Sequence, residues 1–365
     1  MNNQALKKSQ VQEEALRTLD DHNRHGTVAI SMRVGKTLIG LKHLDKYKEA
    51  KALIVAPKLS IFEAWKEEAI KFNLNHLLEK ITFSTYLSLP KQSLDYTVVY
   101  LDEVHNVLES HVPWLKEFKG DIIGLTGTLP DKQSDKYRII QRFCPLVYSY
   151  TVKEAIDHEV INDCNIIVHL LPLEVKKTLT IMGKNKTFVT SEKASYDWWS
   201  KKIALCVGNL DSKMLRIHRM KALQSYISKD IYTRSLLNTI KQKCIIFTNT
   251  KIQAMKICNN QYFTGNKDNE KNLEDFKSGK INRLSCVLML SEGATIPDLK
   301  ECIIQHAYAN NNKLSQRLAR CLSLSPKEVA TVHVLCYKDT VDEEWVDSAL
   351  QAFDKSKITY KDTTL

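Results

Sequence analysis

The chain has 365 residues, 43% of them hydrophobic and 26% charged, and its 53 Lys and Arg against 42 Asp and Glu give a formal net charge of +11. That balance excludes a disordered chain and leaves length for two domains of ordinary size, each with its own core. No apolar run approaches the ~18 residues a membrane span needs, and the start, Met1–Gln10, is polar, so a cytoplasmic protein with neither membrane anchor nor signal core is expected.

Apolar strands alternate with amphipathic helices from the start. The pattern predicts strands at Thr27–Ser31, Ala52–Ala56, Ile81–Ser84, Thr97–Leu101 and Asp121–Leu125, and helices at Gln10–Asp20, Lys36–Tyr47, Ile61–Phe72 and Val112–Phe118. Such alternation implies a parallel sheet covered on both faces. It pauses around Pro130–Pro145, and Val152–Ile156 opens a new set. Asn165–Leu171 reads as a strand leading into a basic insertion near 172–212, followed by helices at Lys213–Ile227 and Ile231–Lys241. A second alternating block runs through Cys244–Phe247, Gln253–Asn259, Glu270–Ser278, Ser285–Met289, Cys302–Gln305, Leu314–Cys321 and Val332–Cys336. The last helix, Asp342–Asp354, carries an apolar stripe of Val341, Trp345, Ala349 and Phe353 at its start and along one face. The expectation is an α/β protein of two lobes, residues 1–150 and 151–365.

Two motifs bear chemistry. Gly35-Lys36-Thr37 falls on a strand-to-helix turn, where backbone N–H groups and the helix dipole hold phosphates. There Lys36 reaches the outer phosphates and Thr37 ligates Mg²⁺. Asp102-Glu103-Val104-His105 follows 65 residues after Thr37, at the carboxyl end of a second buried strand, on the edge where open α/β sheets bind ligands. Asp102 suits a Mg²⁺ contact, and Glu103 suits orientation of the attacking water. A nucleoside triphosphatase site is expected, with Lys36 a solvent-accessible ligand whose loss spares the fold. The loop departs from the usual Walker A pattern: Ile30 stands at its first Gly position, and Arg33 at one often held by Gly. The nine cysteines are scattered without a C-x-x-C pair, and His22 and His25 lack a second ligand pair, so reduced thiols are expected and not zinc.

Between Lys176 and Lys229 stand twelve Lys and Arg against three acidic residues (Glu192, Asp197, Asp211), a local balance of +9. Phe188, Tyr196, Trp198, Trp199 and Tyr226 are interleaved with them. Cations among aromatics suit a nucleic-acid path, with Lys184, Lys186, Lys193, Lys201 and Lys202 on phosphates and Trp198 and Trp199 stacking. The alternative is a solvated helical face with one Trp plugged into the core.

Taken in order, the motifs resemble those of superfamily 2 DExH helicases and translocases, with a pattern similar to phage UvsW-type and Swi/Snf-type ATPases. Gln12-Glu13-Glu14-Ala15-Leu16 is similar to the glutamine element ahead of the P-loop, which implies Gln12 near adenine. Leu53–Lys58 followed by Trp65 and Phe72 resembles motif Ia, Thr82–Tyr86 motif Ib, and Leu125-Thr126-Gly127-Thr128 motif III. Ala155-Ile156 through Asp163 looks like the entry to the second lobe. Cys244–Thr248 resembles motif IV, Ser291–Asp298 motif V and Gln316-Arg317-Leu318-Ala319-Arg320 motif VI. Tyr262–Gly265 and Leu273–Gly279 match the spacer between motifs IV and V.

The resemblance implies two RecA-like lobes with ATP and Mg²⁺ in the cleft between them. It implies nucleotide contacts from Gln12, Arg33, Val34, Gly35, Lys36, Thr37, Gly293 and Arg317, and catalytic roles for Lys36, Asp102, Glu103, Gln316 and Arg320. It also implies nucleic-acid contacts from Pro57, Lys58, Thr85, Thr248 and Asn249. Motif V has Thr295 where an Asp is usual, and motif VI has Ser323 where a further Arg is usual.

The expected function is an ATP-driven motor on DNA, monomeric, acting on forks, junctions or duplex, with RNA as the alternative substrate and a partner protein supplying loading. The rival from another class is a degenerate ATP- and nucleic-acid-binding scaffold with little unwinding. Abundant Lys, Asn and Ile with scarce Gly match an AT-rich genome, and the UvsW-type resemblance implies a phage or viral source.

Overall fold

A computed structural model describes residues 3–31, 34–47, 49–182, 187–206, 208–287, 296–306, 328–351 and 353–364. The chain divides into two compact units between Asn162 and Asp163. That division falls later than residue 150 because the segment following 150 folds back onto the first unit. There Val160 and Ile161 are buried, and Lys7 pairs with Glu159 at 2.7 Å.

The first unit is a six-stranded sheet. Its strands are β1 (Gly26–Ile30), β2 (Ala52–Ala56), β3 (Ile81–Thr85), β4 (Val98–Asp102), β5 (Asp121–Thr126) and β6 (Leu146–Tyr150), in the order β3-β2-β4-β5-β1-β6. Every pairing is parallel. β1, β2 and β4 are buried at every residue, as expected of strands covered on both faces. Helices α1 (Asn3–Asp21), α2 (Lys36–Asp45), α3 (Leu59–Lys71) and α4 (Val112–Glu117) match the predicted set, though α1 begins earlier than Gln10.

The apparent pause at 130–145 contains α5 (Asp135–Phe143), capped by Ser134, whose side chain accepts from the Tyr137 N–H, and buried through Ile139, Ile140 and Phe143. The edge strand β6 was not predicted: four of its five residues are at least partly exposed, so it lacks an uninterrupted apolar run.

The second unit begins with β7 (Cys164–Leu171) and carries a seven-stranded parallel sheet. Besides β7 it contains β10 (Cys244–Thr248), β11 (Gln261–Tyr262), β12 (Arg283–Val287), β13 (Glu301–Ile304), β14 (Ala330–Tyr337) and β15 (Ile358–Asp362), in the order β11-β12-β10-β13-β14-β7-β15. The expected strand and helix positions of the alternating block agree with these and with α10 (Lys251–Ile257) and α11 (Asn269–Lys277). The predicted helix at Leu314–Cys321 lies outside the described residues. β15 was missed because four of its five residues are exposed.

The insertion holds an antiparallel hairpin, β8 (Leu179–Met182) with β9 (Thr187–Thr190), then α7 (Glu192–Ala204) and α8 (Asn209–Ser225), before α9 (Ser228–Thr239). Among the described residues no helix is long and apolar enough to cross a membrane.

Candidate functional site

β1 delivers the chain to Gly35, which has φ 102° in the left-handed region and caps α2. That backbone conformation favours glycine, and a Cβ there would sit 2.7 Å from Nε2 of Gln12. Among the described residues the N-cap Gly35 of α2 offers no side-chain cap, and N–H groups at such a helix start suit an anion. Buried Gln12 donates from Nε2 to the Val34 carbonyl at 2.7 Å, and Lys42 reaches its Oε1 at 3.4 Å. Gln12 therefore holds the shape of the loop. Thr37 is half-buried on the same turn.

β4 ends in Asp102, 1% exposed, followed by Glu103, 7% exposed. The Lys36 ammonium lies 3.3 Å from Oδ1 of Asp102 and donates to Oε1 of Glu103. Burial opposes charge on Lys36, but the two carboxylates outweigh it and raise its pKa above the usual lysine value. Burial likewise pushes the Glu103 carboxyl up, and Lys36 and His105 reverse this to a net lowering. Both members of the pair are held charged. Lys36 is thus a partner of two buried carboxylates, so its removal bears on stability as well as on phosphate binding.

Two further groups fix Asp102. Trp65 donates from Nε1 to Oδ2 at 2.8 Å, and the Glu103 N–H donates to Oδ1 at 2.9 Å. The Tyr86 hydroxyl donates to the Asp102 carbonyl at 3.1 Å. Glu103 itself has φ 51°, a left-handed conformation that costs a non-glycine residue of order 1–3 kcal/mol. The Asn106 N–H and Nδ2 hold it there, both donating to the Glu103 carbonyl.

From Glu103 the contacts continue to β5. His105 Nδ1 lies 3.4 Å from Oε2 of Glu103 and 3.0 Å from the Thr126 hydroxyl. Burial lowers the His105 pKa, favouring the neutral ring. Thr126 donates to the Thr128 carbonyl at 2.7 Å, and Lys136 of α5 donates to the His105 carbonyl at 3.0 Å. Sequence reasoning missed Trp65, Tyr86 and Lys136 as parts of this site. Their distance along the chain gives no spacing signal; only the Trp in the motif Ia likeness hinted at one. A separate cavity of about 780 Å³, lined by α1, β6 and α6 (Val152–Asp157), includes neither Gln12 nor Lys36.

Of the other sequence-derived candidates, Arg33, Lys184, Lys186, Gly293, Gln316, Arg317 and Arg320 lie outside the described residues. Pro57 is half-buried and Lys58 exposed where β2 runs into α3. Thr85 ends β3, in register with Ala56 at the end of β2, so these three residues share the sheet's carboxyl edge. Asn249 is half-buried after β10. Thr248 is fully buried at the end of β10, and its hydroxyl lies 3.3 Å from the carbonyls of Thr250 and Cys286.

In the insertion, Lys193 is spent on Asp197 at 2.7 Å, whereas Lys201 and Lys202 are exposed. Trp198 is 52% exposed, and Trp199 is half-buried, stacked on His218 at 5.3 Å. The buried aromatics of the basic stretch are Tyr226 and Tyr196, and the Tyr196 hydroxyl accepts from the Val341 N–H at 2.9 Å. Lys229, counted among the basic residues, is fully buried against Asp342 at 2.5 Å and the Leu335 carbonyl at 2.8 Å.

An ammonium on a glycine-initiated helix, facing an acidic pair at the end of a parallel strand, is the arrangement expected of a nucleoside triphosphate site. Residues 5–131 match the family described as Type III restriction enzyme, res subunit, and residues 228–324 match the helicase conserved C-terminal domain. Over 350 residues the chain is 24% identical to the DNA 3'-5' translocase XPB2 of Sulfurisphaera tokodaii, covering 87% of this chain and 79% of that protein.

Its fold is similar to the Hef helicase domain of Pyrococcus furiosus, with a TM-score of 0.51 at 15% identity over 95% of this chain and 97% of that one. It is similar also to Dbp5 of S. cerevisiae bound to RNA and ADP BeF3, with a TM-score of 0.57 at 13% identity over 96% and 89%. The DNA-bound Type ISP restriction-modification enzyme LlaBIII matches at a TM-score of 0.62 and 13% identity over 97% of this chain, which spans 31% of that one. Both sheets with their flanking helices are RecA-like. The two family matches and the translocase relative support a superfamily 2 helicase, an ATP-hydrolysing helicase or translocase.

Proposed function

We propose that the protein is a DExH-type ATP-driven motor on DNA that remodels forks, junctions or duplex. The observation that carries this reading is Lys36 seated on Asp102 and Glu103 beside the uncapped start of α2. One ammonium against two carboxylates leaves net negative charge, which suits a divalent cation. Thr37 and Asp102 offer the hydroxyl and carboxylate with which Mg²⁺ is held alongside nucleotide phosphates. ATP with its Mg²⁺ supplies the reactive phosphoryl group when bound. Lys36 and the α2 N–H groups then bind the phosphates, Gln12 keeps the loop shaped, and Glu103 orients the attacking water. Gln316, Arg317 and Arg320 are the candidate transition-state contacts.

The path His105–Thr126–Thr128 links Glu103 to β5, whose end is our candidate for passing the change to the strand-binding face. DNA is favoured by the translocase relative and by the motif Ia likeness to Swi/Snf-type ATPases. Pro57, Lys58 and Thr85 are the proposed backbone contacts, which makes recognition largely independent of sequence. We place the protein in the cytoplasm as a monomer, with a partner supplying loading specificity.

One observation favours a scaffold instead: Ile30, at the first Gly position of the motif, is a fully buried strand residue. ATP hydrolysis measured alone and with single-stranded DNA, duplex, fork or RNA separates the readings. Strong stimulation by a DNA identifies the motor, stimulation by RNA alone moves the substrate, and negligible turnover throughout identifies the scaffold.

A further inference from the structure

We infer that Trp198 is a platform for one unpaired nucleobase, on a helix that the second unit holds rigidly; this rests on the nucleic-acid reading above. Trp198 is 52% exposed on α7 among exposed cations, a combination of ring and charge that suits a nucleic-acid strand. Trp199 meets the Trp198 ring edge-on, with centroids 4.6 Å apart at 78°, and Trp199 in turn lies flat on His218 at 10°. The Lys202 ammonium stands over the Trp198 ring, 5.5 Å from its centroid. Trp198 is about half exposed, and a half-exposed ring with a flexible ammonium against it can take a base by stacking and its phosphate by charge.

The surrounding charge favours a polyanion. Lys201, Lys202, Lys213, Arg216 and Lys221 are exposed on α7 and α8, and Asp197 is already neutralised by Lys193. The platform is anchored at the base of α7. Glu192 is fully buried and accepts from the Ser228 N–H at 3.1 Å, the Ser228 hydroxyl at 2.6 Å and the Glu174 N–H at 3.3 Å. Ser228 also bonds the Tyr337 hydroxyl at 2.7 Å. A helix fixed in this way holds its ring in place before a base arrives, so little ordering is needed on binding. A ring stacks on an unpaired base more readily than on a paired one, so the occupant is single-stranded nucleic acid or the strand beyond a junction.

The test compares binding of a short oligothymidylate with a strand of equal length that is abasic throughout, for the full chain and for W198A and W198Y. Stacking predicts that W198A weakens oligothymidylate binding about ten-fold, that W198Y retains most of the affinity, and that wild type and W198A bind the abasic strand alike. Equal weakening on both strands, no weakening on either, or a loss of thermal stability in W198A would overturn the platform. If that happens while DNA still stimulates the wild-type ATPase, the motor reading stands. If wild type binds neither strand and no nucleic acid stimulates hydrolysis, the motor reading fails and the platform with it.

Discussion

Trp65 donates its indole N–H to Oδ2 of Asp102 at 2.8 Å, and both residues are buried. The other oxygen of Asp102 accepts from the Glu103 N–H and faces Lys36. The indole therefore sets the rotation of the carboxylate on which the acidic pair depends. Trp65 is seated against α2, since a Cβ on Gly40 would fall 2.4 Å from its ring. A line of contacts runs from Gly40 through Trp65 to Asp102.

Trp65→Phe keeps most of the packing and removes the donor. A buried carboxylate oxygen losing its partner is expected to cost ~1–3 kcal/mol in stability and to slow ATP turnover. Trp65→Ala adds a cavity and is expected to cost ~3–5 kcal/mol. Denaturant unfolding beside steady-state hydrolysis checks both, and full turnover in Trp65→Phe would remove the positioning role.

Lys36→Ala is expected to abolish hydrolysis and also to destabilise the first unit, because Asp102 and Glu103 lose their shared cation. The sign of the pH dependence follows from Glu103. Its folded pKa lies below the unfolded value, so its contribution is present at neutral pH and is lost as pH falls through that folded value. The stability gap between wild type and Lys36→Ala should therefore narrow in acid. Glu103→Gln keeps the ammonium paired with Asp102, so it should bind ATP, fold and fail to hydrolyse. Hydrolysis at the wild-type rate in either variant would refute the site.

The interior strands were legible because each is an unbroken apolar run that only a doubly covered sheet explains. Gly35-Lys36-Thr37 was legible because its chemistry is local. Edge strands β6 and β15 were not, since half-exposed residues interrupt the run. Lys229 misled the charge count because its partner Asp342 stands 113 residues later.

His43 and His169 are buried, and burial lowers each ring to about 4. His43 bonds the Tyr100 hydroxyl at 2.8 Å, and His169 bonds Tyr232 at 2.8 Å and His333 at 2.9 Å. Above the unfolded histidine value both states hold neutral rings, and no stability depends on them. Below it the unfolded chain binds protons that the folded chain refuses. Stability should therefore fall from about pH 6.5 towards 4, by about 2 kcal/mol per ring by pH 5. Urea unfolding across that range checks the slope. His43→Gln should flatten it in the first unit and leave the contribution of His169 in place.

Arg320→Ala should lower turnover by at least ~10³-fold while nucleotide affinity changes little, because an arginine finger acts on charge that develops during phosphoryl transfer. Arg317→Ala is the comparison. The split between kcat and KM, measured with DNA present, is the readout. Normal turnover in Arg320→Ala would mean that another residue or a partner supplies the cation.

The lysines of the insertion separate by burial, and that sorts their effects. Lys229→Met strands Asp342 in the core and should cost ~3–5 kcal/mol in stability. The surviving folded protein should show an unchanged salt dependence of binding. Lys201→Gln with Lys202→Gln should leave stability within ~0.5 kcal/mol. The slope of log affinity against log salt on single strands should fall by about 0.7 for each phosphate that the two ammonium groups neutralise in the wild type. Lys193→Gln should alter that slope least, because its ammonium already bonds both oxygens of Asp197 at 2.7 Å. A salt slope that stays fixed in the double variant would make α7 a solvated surface and put the phosphate-binding groups on the sheet edges at Pro57, Lys58 and Thr85.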